Sequence, residues 1–249
     1  RRGRRLVLTE HGQVVREYAD DIFALSEELV DAVHSESGPK HATRLRVGVS
    51  NNLPKWVSYR LLAPALEIPD FPVHLVCIED HADRLVADLA IHHLDLVLAD
   101  APVRLASDVK ADSALLGYCN VVLMGAPQVA ARYLVGFPGS LEGAPVLLPD
   151  NGSSMRRLME DWFERSGIRP QVVAEFGDSA LLKAFGQAGA GLFPVPALVA
   201  GEVAAQYRVV QVGVLDGLNE QFYAITPGSR QPNLAVQSIL DKAREALFQ

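Results

Sequence analysis

Between residues 9 and 36, apolar side chains recur at alternating spacings of three and four, at Val15, Tyr18, Ile22, Leu25, Leu29 and Ala32. This is a heptad seam, and Thr9 stands where such a helix takes its N-cap. A second stripe of Ala19, Phe23, Val30 and Val33 widens the apolar face, so the helix is expected to bury two sides. Two placements fit: a core helix of the following domain, or a helix that pairs with a second copy of the chain. The segment 35–41, Ser-Glu-Ser-Gly-Pro-Lys-His, reads as a flexible linker that detaches the helix. It favours the pairing helix, with Val15, Tyr18, Ile22, Leu25 and Leu29 as contacts.

After the linker the pattern alternates between short apolar runs and amphipathic stretches. It predicts a strand over 45–50, a helix over 54–67 started by Pro54, a strand over 73–79, a helix over 81–91 and a strand over 94–100. The strands are nearly continuous Val, Leu and Ile, as in a parallel sheet covered by helices on both faces. The pattern then restarts, with strands over 120–124 and 146–149, a helix over 153–166, a strand over 172–176, a helix over 178–188 capped by Asp178 and ended at Gly189, and a strand over 192–195. Two more strands, 209–215 and 221–226, and a closing helix over 232–248 complete the chain. Two α/β units of similar size with a piece left over predict two lobes joined by crossover strands, and a ligand site in the cleft between them.

At 249 residues and 49% hydrophobic, the chain can bury one sizeable core or two modest ones. A net charge of -7 argues against broad nucleic-acid binding, but Arg1, Arg2, Arg4 and Arg5 concentrate positive charge at one end, where contact with the DNA backbone would sit. Those arginines lead into Leu6-Val7-Leu8 without a start methionine, a poor beginning for an independent domain. The chain therefore reads as a fragment whose N-terminal partner is missing. Cys77 and Cys119 lie in apolar runs and are expected to be buried thiols of a reduced cytoplasm. The apolar segments are too short to span a membrane.

Hydrolase and redox signatures are missing: there is no Gly-x-Ser-x-Gly, no P-loop and no Cys-x-x-Cys. Gly186-Gln-Ala-Gly189-Ala-Gly191 ends a helix and enters a strand, the reverse of a dinucleotide fingerprint, so a C-cap and close packing explain it better. The cluster Glu79-Asp80-His81-Ala82-Asp83 with His92-His93 has ligand-type side chains, yet helix capping and solvated faces account for it, and no resident metal is assigned. More informative are three polar turns that follow strand ends: Ser50-Asn51-Asn52, Asp100-Ala101-Pro102 and Asp150-Asn151-Gly152-Ser153. In open α/β sheets, ligands bind beyond the carboxyl ends of strands, and helix N-termini favour anions. Capping explains each turn singly; together they point at one crevice and a small ligand.

The order of these parts resembles a LysR-type transcriptional regulator without its N-terminal winged helix-turn-helix. The resemblance rests on Arg5-Leu6-Val7-Leu8-Thr9-Glu10-His11-Gly12 followed by a long helix, a linker and a two-lobed body, and it covers the whole chain. The segments 54–62, 87–100 and 177–191 look most like the NhaR subgroup, activators of sodium/proton antiporter genes. The resemblance implies an α/β, two-lobed, type II periplasmic-binding-protein-like effector domain preceded by a long linker helix. Residues 1–8 would be the remnant of the DNA-binding wing and 9–40 the dimerisation helix and linker. Subdomain I would be 44–122 plus 224–249, and subdomain II 123–223.

The resemblance also implies dimers that assemble into tetramers, DNA contact through the missing domain, a cytoplasmic location and no enzymatic activity or cofactor. Effector contacts carried over by position are Ser50, Asn51, Asn52, Glu79, Asp100, Phe193, Pro194 and Phe222. The effector would be a sodium ion or a small anion, with Asp100 placed where a sodium-responsive protein could use an oxygen ligand. Asn51-Asn52 departs from the small hydroxyl residues of many relatives, which leaves the effector's class open. The rival reading is a periplasmic solute-binding protein of a transport system, which should begin with a signal sequence.

Overall fold

The computed structural model describes residues 9, 11–12, 15–16, 18–19, 22–23, 26, 42–102, 111–228 and 233–243. Arg1, Arg2, Arg4, Arg5, Leu25 and Leu29 lie outside the described residues. The described residues from 11 to 26 are helical. Of the heptad positions among them, Val15 and Ile22 are 67% and 66% exposed, and Tyr18 is exposed with its ring 5.9 Å from that of His93.

Three parallel strands form the first lobe. β1 (Thr43–Ser50) lies between β2 (Val73–Asp80) and β3 (Leu96–Ala99), joined by α1 (Lys55–Leu62) and α2 (Ala82–Ala90). The apolar runs of β1 and β3 are covered on both sides. One face packs Leu45, Val47, Val49, Leu96 and Leu98 against α1 and against Ala235, Val236 and Ile239 of the last helix, α6 (Leu234–Lys242); the other packs Val97 and Ala99 against Leu85, Val86 and Leu89 of α2. β2 is the sheet edge, so Cys77, Ile78 and Glu79 are exposed. This corrects the expectation of two buried thiols. Cys77 is exposed, and only Cys119 is half-buried, its thiol pushed up to about 11, chiefly by burial.

Two long antiparallel strands carry the chain between lobes. β4 (Ala111–Gly125) and β8 (Val210–Pro227) pair from Ala111↔Pro227 to Gly125↔Val210, and the far end of β8 also pairs with β3. Sequence patterning recovers only 120–124 of β4 and splits β8 in two at Asp216-Gly217. The structure has one continuous strand there: Gly217 takes φ +76, a bulge in β4 falls between Leu115 and Gly117, and residues 215–218 of β8 drop out of the pairing where the register moves from Asn120↔Asn219 to Val122↔Val214.

The second lobe adds β5 (Pro145–Pro149), α3 (Ser154–Ser166), β6 (Gln171–Phe176), α4 (Ser179–Gln187), β7 (Phe193–Pro196) and α5 (Ala200–Tyr207). β5 pairs in parallel with β6, and Leu147 N donates to Leu192 O at 2.7 Å to tie the pair to β7. Sequence patterning does not find α5, whose start is hidden by the proline-broken apolar run before it. Met159, Trp162 and Phe163 of α3 pack on Val146, Leu148 and Leu215. The glycine run is a packing device, as read: Gly189 takes φ +86 beyond α4, and a Cβ on Gly186 would stand 2.2 Å from the Phe193 ring.

Asp178 caps α4 through Oδ1, which accepts from Ala180 N and Leu181 N at 2.7 Å. Asp178→Ala is expected to destabilise the chain by about 0.5–2 kcal/mol, read as a lower midpoint in denaturant; an unchanged midpoint would remove the cap from the account. No helix among the described residues is long and apolar enough to cross a membrane.

Candidate functional site

The site forms where strand ends from both lobes face each other. β1 ends at Ser50, and the chain turns through Asn51 and Asn52 before Pro54 opens α1; Leu53 N donates to Ser50 O at 2.9 Å. Across the gap β5 ends at Pro149, Asp150 turns the chain with Oδ1 accepting from Gly152 N at 3.2 Å, and α3 begins at Ser154. β6 ends at Phe176 and delivers Gly177 and the N-terminus of α4. Between them is a cleft that is partly open to solvent. Asn51, Asn52, Asp150, Ser153, Ser179 and Lys183 bring its polar edge, while Met155, Phe176, Leu182 and the prolines of β5 and β7 form apolar walls.

Asp100, at the end of β3, joins the lobes. Its carboxylate is 8% exposed and accepts from Ser50 Oγ at 3.4 Å, from Ser154 N at 3.4 Å and from Ser154 Oγ. A first-lobe carboxylate thus stands at the N-terminus of a second-lobe helix, where the helix dipole favours negative charge. Of the three polar turns in the sequence, those at 50–52 and 150–153 line the cleft, and Asp100 joins them through Ser50 and Ser154 beside it.

The innermost wall comes from β8. Its inward residues alternate as Leu218, Glu220, Phe222 and Ala224, all buried. Glu220 is 2% exposed, lines the cleft, and its Oε2 has no hydrogen-bond partner among the described residues. Burial, with the Asp100 charge added to it, pushes the Glu220 carboxyl up to about 8, and Lys183 opposes the rise. Lys183, on α4, donates to Ser179 O at 3.1 Å; burial pulls its ammonium down to about 8 against the pull of Asp178 and Glu220.

Of the residues singled out from the sequence, Asn51, Asn52 and Pro194 line the cleft, and Ser50 and Asp100 form the inter-lobe contact beside it. Phe193 and Phe222 are fully buried in the main core. Glu79 lies on the exposed edge of β2, paired with Lys55 at 2.5 Å. Sequence reasoning missed Glu220 and Lys183. Reading β8 as one strand would have placed Glu220 inward between Leu218 and Phe222, and the spacing of Ser179, Lys183 and Gly186 marks one face of α4.

Comparison with known proteins bears on the fold and the family. Residues 39–248 match the LysR substrate binding domain family. The transcriptional activator protein NhaR of Escherichia coli K12 is 32% identical over 249 residues, which is 100% of this chain and 80% of that protein. Among solved structures, the apo regulatory domain of HypT from Salmonella typhimurium superposes with TM-score 0.63 at 17% identity, covering 85% of this chain and 100% of that one. The Synechocystis CcmR regulatory domain in complex with 2-PG gives 0.61 at 16% identity, covering 82% and 98%.

Proposed function

This chain belongs to the LysR family of transcriptional regulators, and we propose that it is the part that senses a small effector and holds copies of the regulator together. Its two-lobed, periplasmic-binding-protein-like fold is that of the family's effector domains. The observation that carries the sensing role is the buried Glu220 oxygen, left without a partner in a cleft between lobes. A buried polar group in that state costs about 1–3 kcal/mol, which a bound ligand can recover.

Effector entering the cleft touches strand ends of both lobes and so shifts their angle about β4 and β8. In the whole regulator that shift passes through residues 9–40 to a DNA-reading module beside Arg1, Arg2, Arg4 and Arg5, acting in the cytoplasm. Lobes of 44–122 plus 224–249 and of 123–223 are the proposed moving parts. Likeness to an activator along the whole chain, including residues 9–40, favours this over a solute-binding protein of transport. A bare sodium ion on Asp100, the finer expectation from the NhaR likeness, fits less well, because hydrogen-bond donors from Ser50 and Ser154 already occupy that carboxylate.

Small ligands of the cleft are expected to raise the melting temperature. Asn52→Trp, which narrows the mouth without touching Glu220, should remove the shift; a shift retained in that variant would put binding elsewhere. For assembly, the exposed Val15, Tyr18 and Ile22 call for a second copy, first as a dimer and then as a dimer of dimers. Deleting residues 1–40 should lower the association state in light scattering, and an unchanged state would exclude this helix as the main contact.

A further inference from the structure

We propose that the cleft takes an amino acid or a similar small zwitterion, its ammonium held by Glu220 and Asn51 and its carboxylate by Lys183. The inference rests on the reading of the cleft as the effector site and names the ligand's class. The buried side-chain atoms without a hydrogen-bond partner among the described residues are Glu220 Oε2 and Asn51 Oδ1. Both residues line this cleft; Asn51 Oδ1 is an acceptor, and Glu220 Oε2 is one whenever the carboxyl is ionised. A cationic donor placed between them would serve both oxygens and favour the ionised carboxylate.

An anion at this end would add negative charge beside Asp100 and Asp150 and leave Asn51 Oδ1 unserved. A bare alkali ion would serve both oxygens, but it would place a like charge in the cleft that Lys183 lines and leave the apolar walls of Met155, Phe176 and Leu182 uncovered. An ammonium on an organic body satisfies the oxygens and covers the apolar wall. The ligand's second charge follows from Lys183. One of its N–H groups goes to Ser179 O, and the group bears three, so two remain to meet a carboxylate. Asp178 closes the first N–H groups of α4, which leaves Lys183 as the anion-binding element of that wall.

A zwitterion adds no net charge to a site that already holds both signs, and it supplies each buried charge with its counterion. Its ammonium would draw the Glu220 carboxyl down from about 8 while burial and Asp100 continue to oppose ionisation, and its carboxylate would hold Lys183 charged. Binding below pH 8 is therefore expected to release a proton.

Titration calorimetry of the 249-residue chain against the common amino acids tests this, with L-leucine set beside 4-methylpentanoate, which lacks the amine, and 3-methylbutylamine, which lacks the carboxylate. At least one amino acid is expected to bind at about 10 mM or below, and at least tenfold more tightly than either of its truncated counterparts. Glu220→Gln should weaken the amino acid about tenfold or more while leaving the carboxylate analogue unchanged, and Lys183→Met should do the reverse for the amine analogue. No binding by any amino acid, equal binding by the carboxylate analogue, or a response confined to sodium over potassium overturns the proposal. A carboxylate or sodium response that Asn52→Trp removes would overturn the zwitterion and keep the cleft as the sensing site. An amino-acid response that survives both Asn52→Trp and Glu220→Gln overturns both.

Discussion

Phe222→Ala is expected to lower the unfolding free energy by about 3–5 kcal/mol and to act through stability before it acts on any ligand. Phe222 lies on the inward face of β8, two residues from Glu220, and is fully buried in a core that includes Val122, Phe193 and Ala224. Removing the ring leaves a void in rigid surroundings, because β8 is locked on one side by β4 and on the other by β3. The denaturant midpoint should fall with little change in slope. Near-wild-type stability combined with lost ligand binding would instead put the ring on the cleft wall. Phe193→Ala should behave alike, since its ring fills the space that Gly186 leaves open on α4.

Replacing Glu220 by Gln should reshape the dependence of stability on pH. The folded carboxyl holds its proton up to about 8, against an unfolded value of 4.5. Between those limits the folded chain binds more protons than the unfolded one, so this group's contribution falls as pH rises from 4.5 to about 8 and then levels. Lys183 has the complementary window. Its folded ammonium loses its proton near 8 and its unfolded one near 10.5, so stability recovers between them. The pair therefore predicts a trough near pH 8. In Glu220→Gln the falling limb should disappear, and in Lys183→Met the rising one. Glu220→Leu should raise stability at pH 8 by about 1–3 kcal/mol, because it removes a buried oxygen without a partner. Melts from pH 5 to pH 10 whose difference from the Gln variant stays flat would mean that the folded carboxyl is not perturbed.

Where one physical signal dominated, the sequence was readable. The covered strands β1 and β3 showed as unbroken apolar runs, Asp178 announced the start of α4, and two of the three polar turns, at 50–52 and 150–153, carry residues that line the cleft. The long strand β8 was not readable as one element, because Asp216-Gly217 carries the usual sign of a turn while the pairing with β4 continues on either side of it. That break also hid Glu220, whose inward position follows only from uninterrupted alternation. Cys77 looked buried because β2 is as apolar as its neighbours; edge position in a sheet is set by tertiary pairing and leaves no mark in the strand itself. Phe193 and Phe222 were placed by resemblance, whereas their burial is a property of this chain's packing.

The central claim is that a small ligand bound between the lobes changes their relative position. Spin labels on exposed cysteines replacing Glu67 in the first lobe and Arg165 in the second, in a chain carrying Cys77→Ser and Cys119→Ser, report the inter-lobe distance directly. Saturating ligand from the melt screen, with L-leucine the first probe, is expected to shift and narrow the distance distribution, and to leave it unchanged in Asn52→Trp. A distribution that stays the same while the ligand is bound would contradict the account.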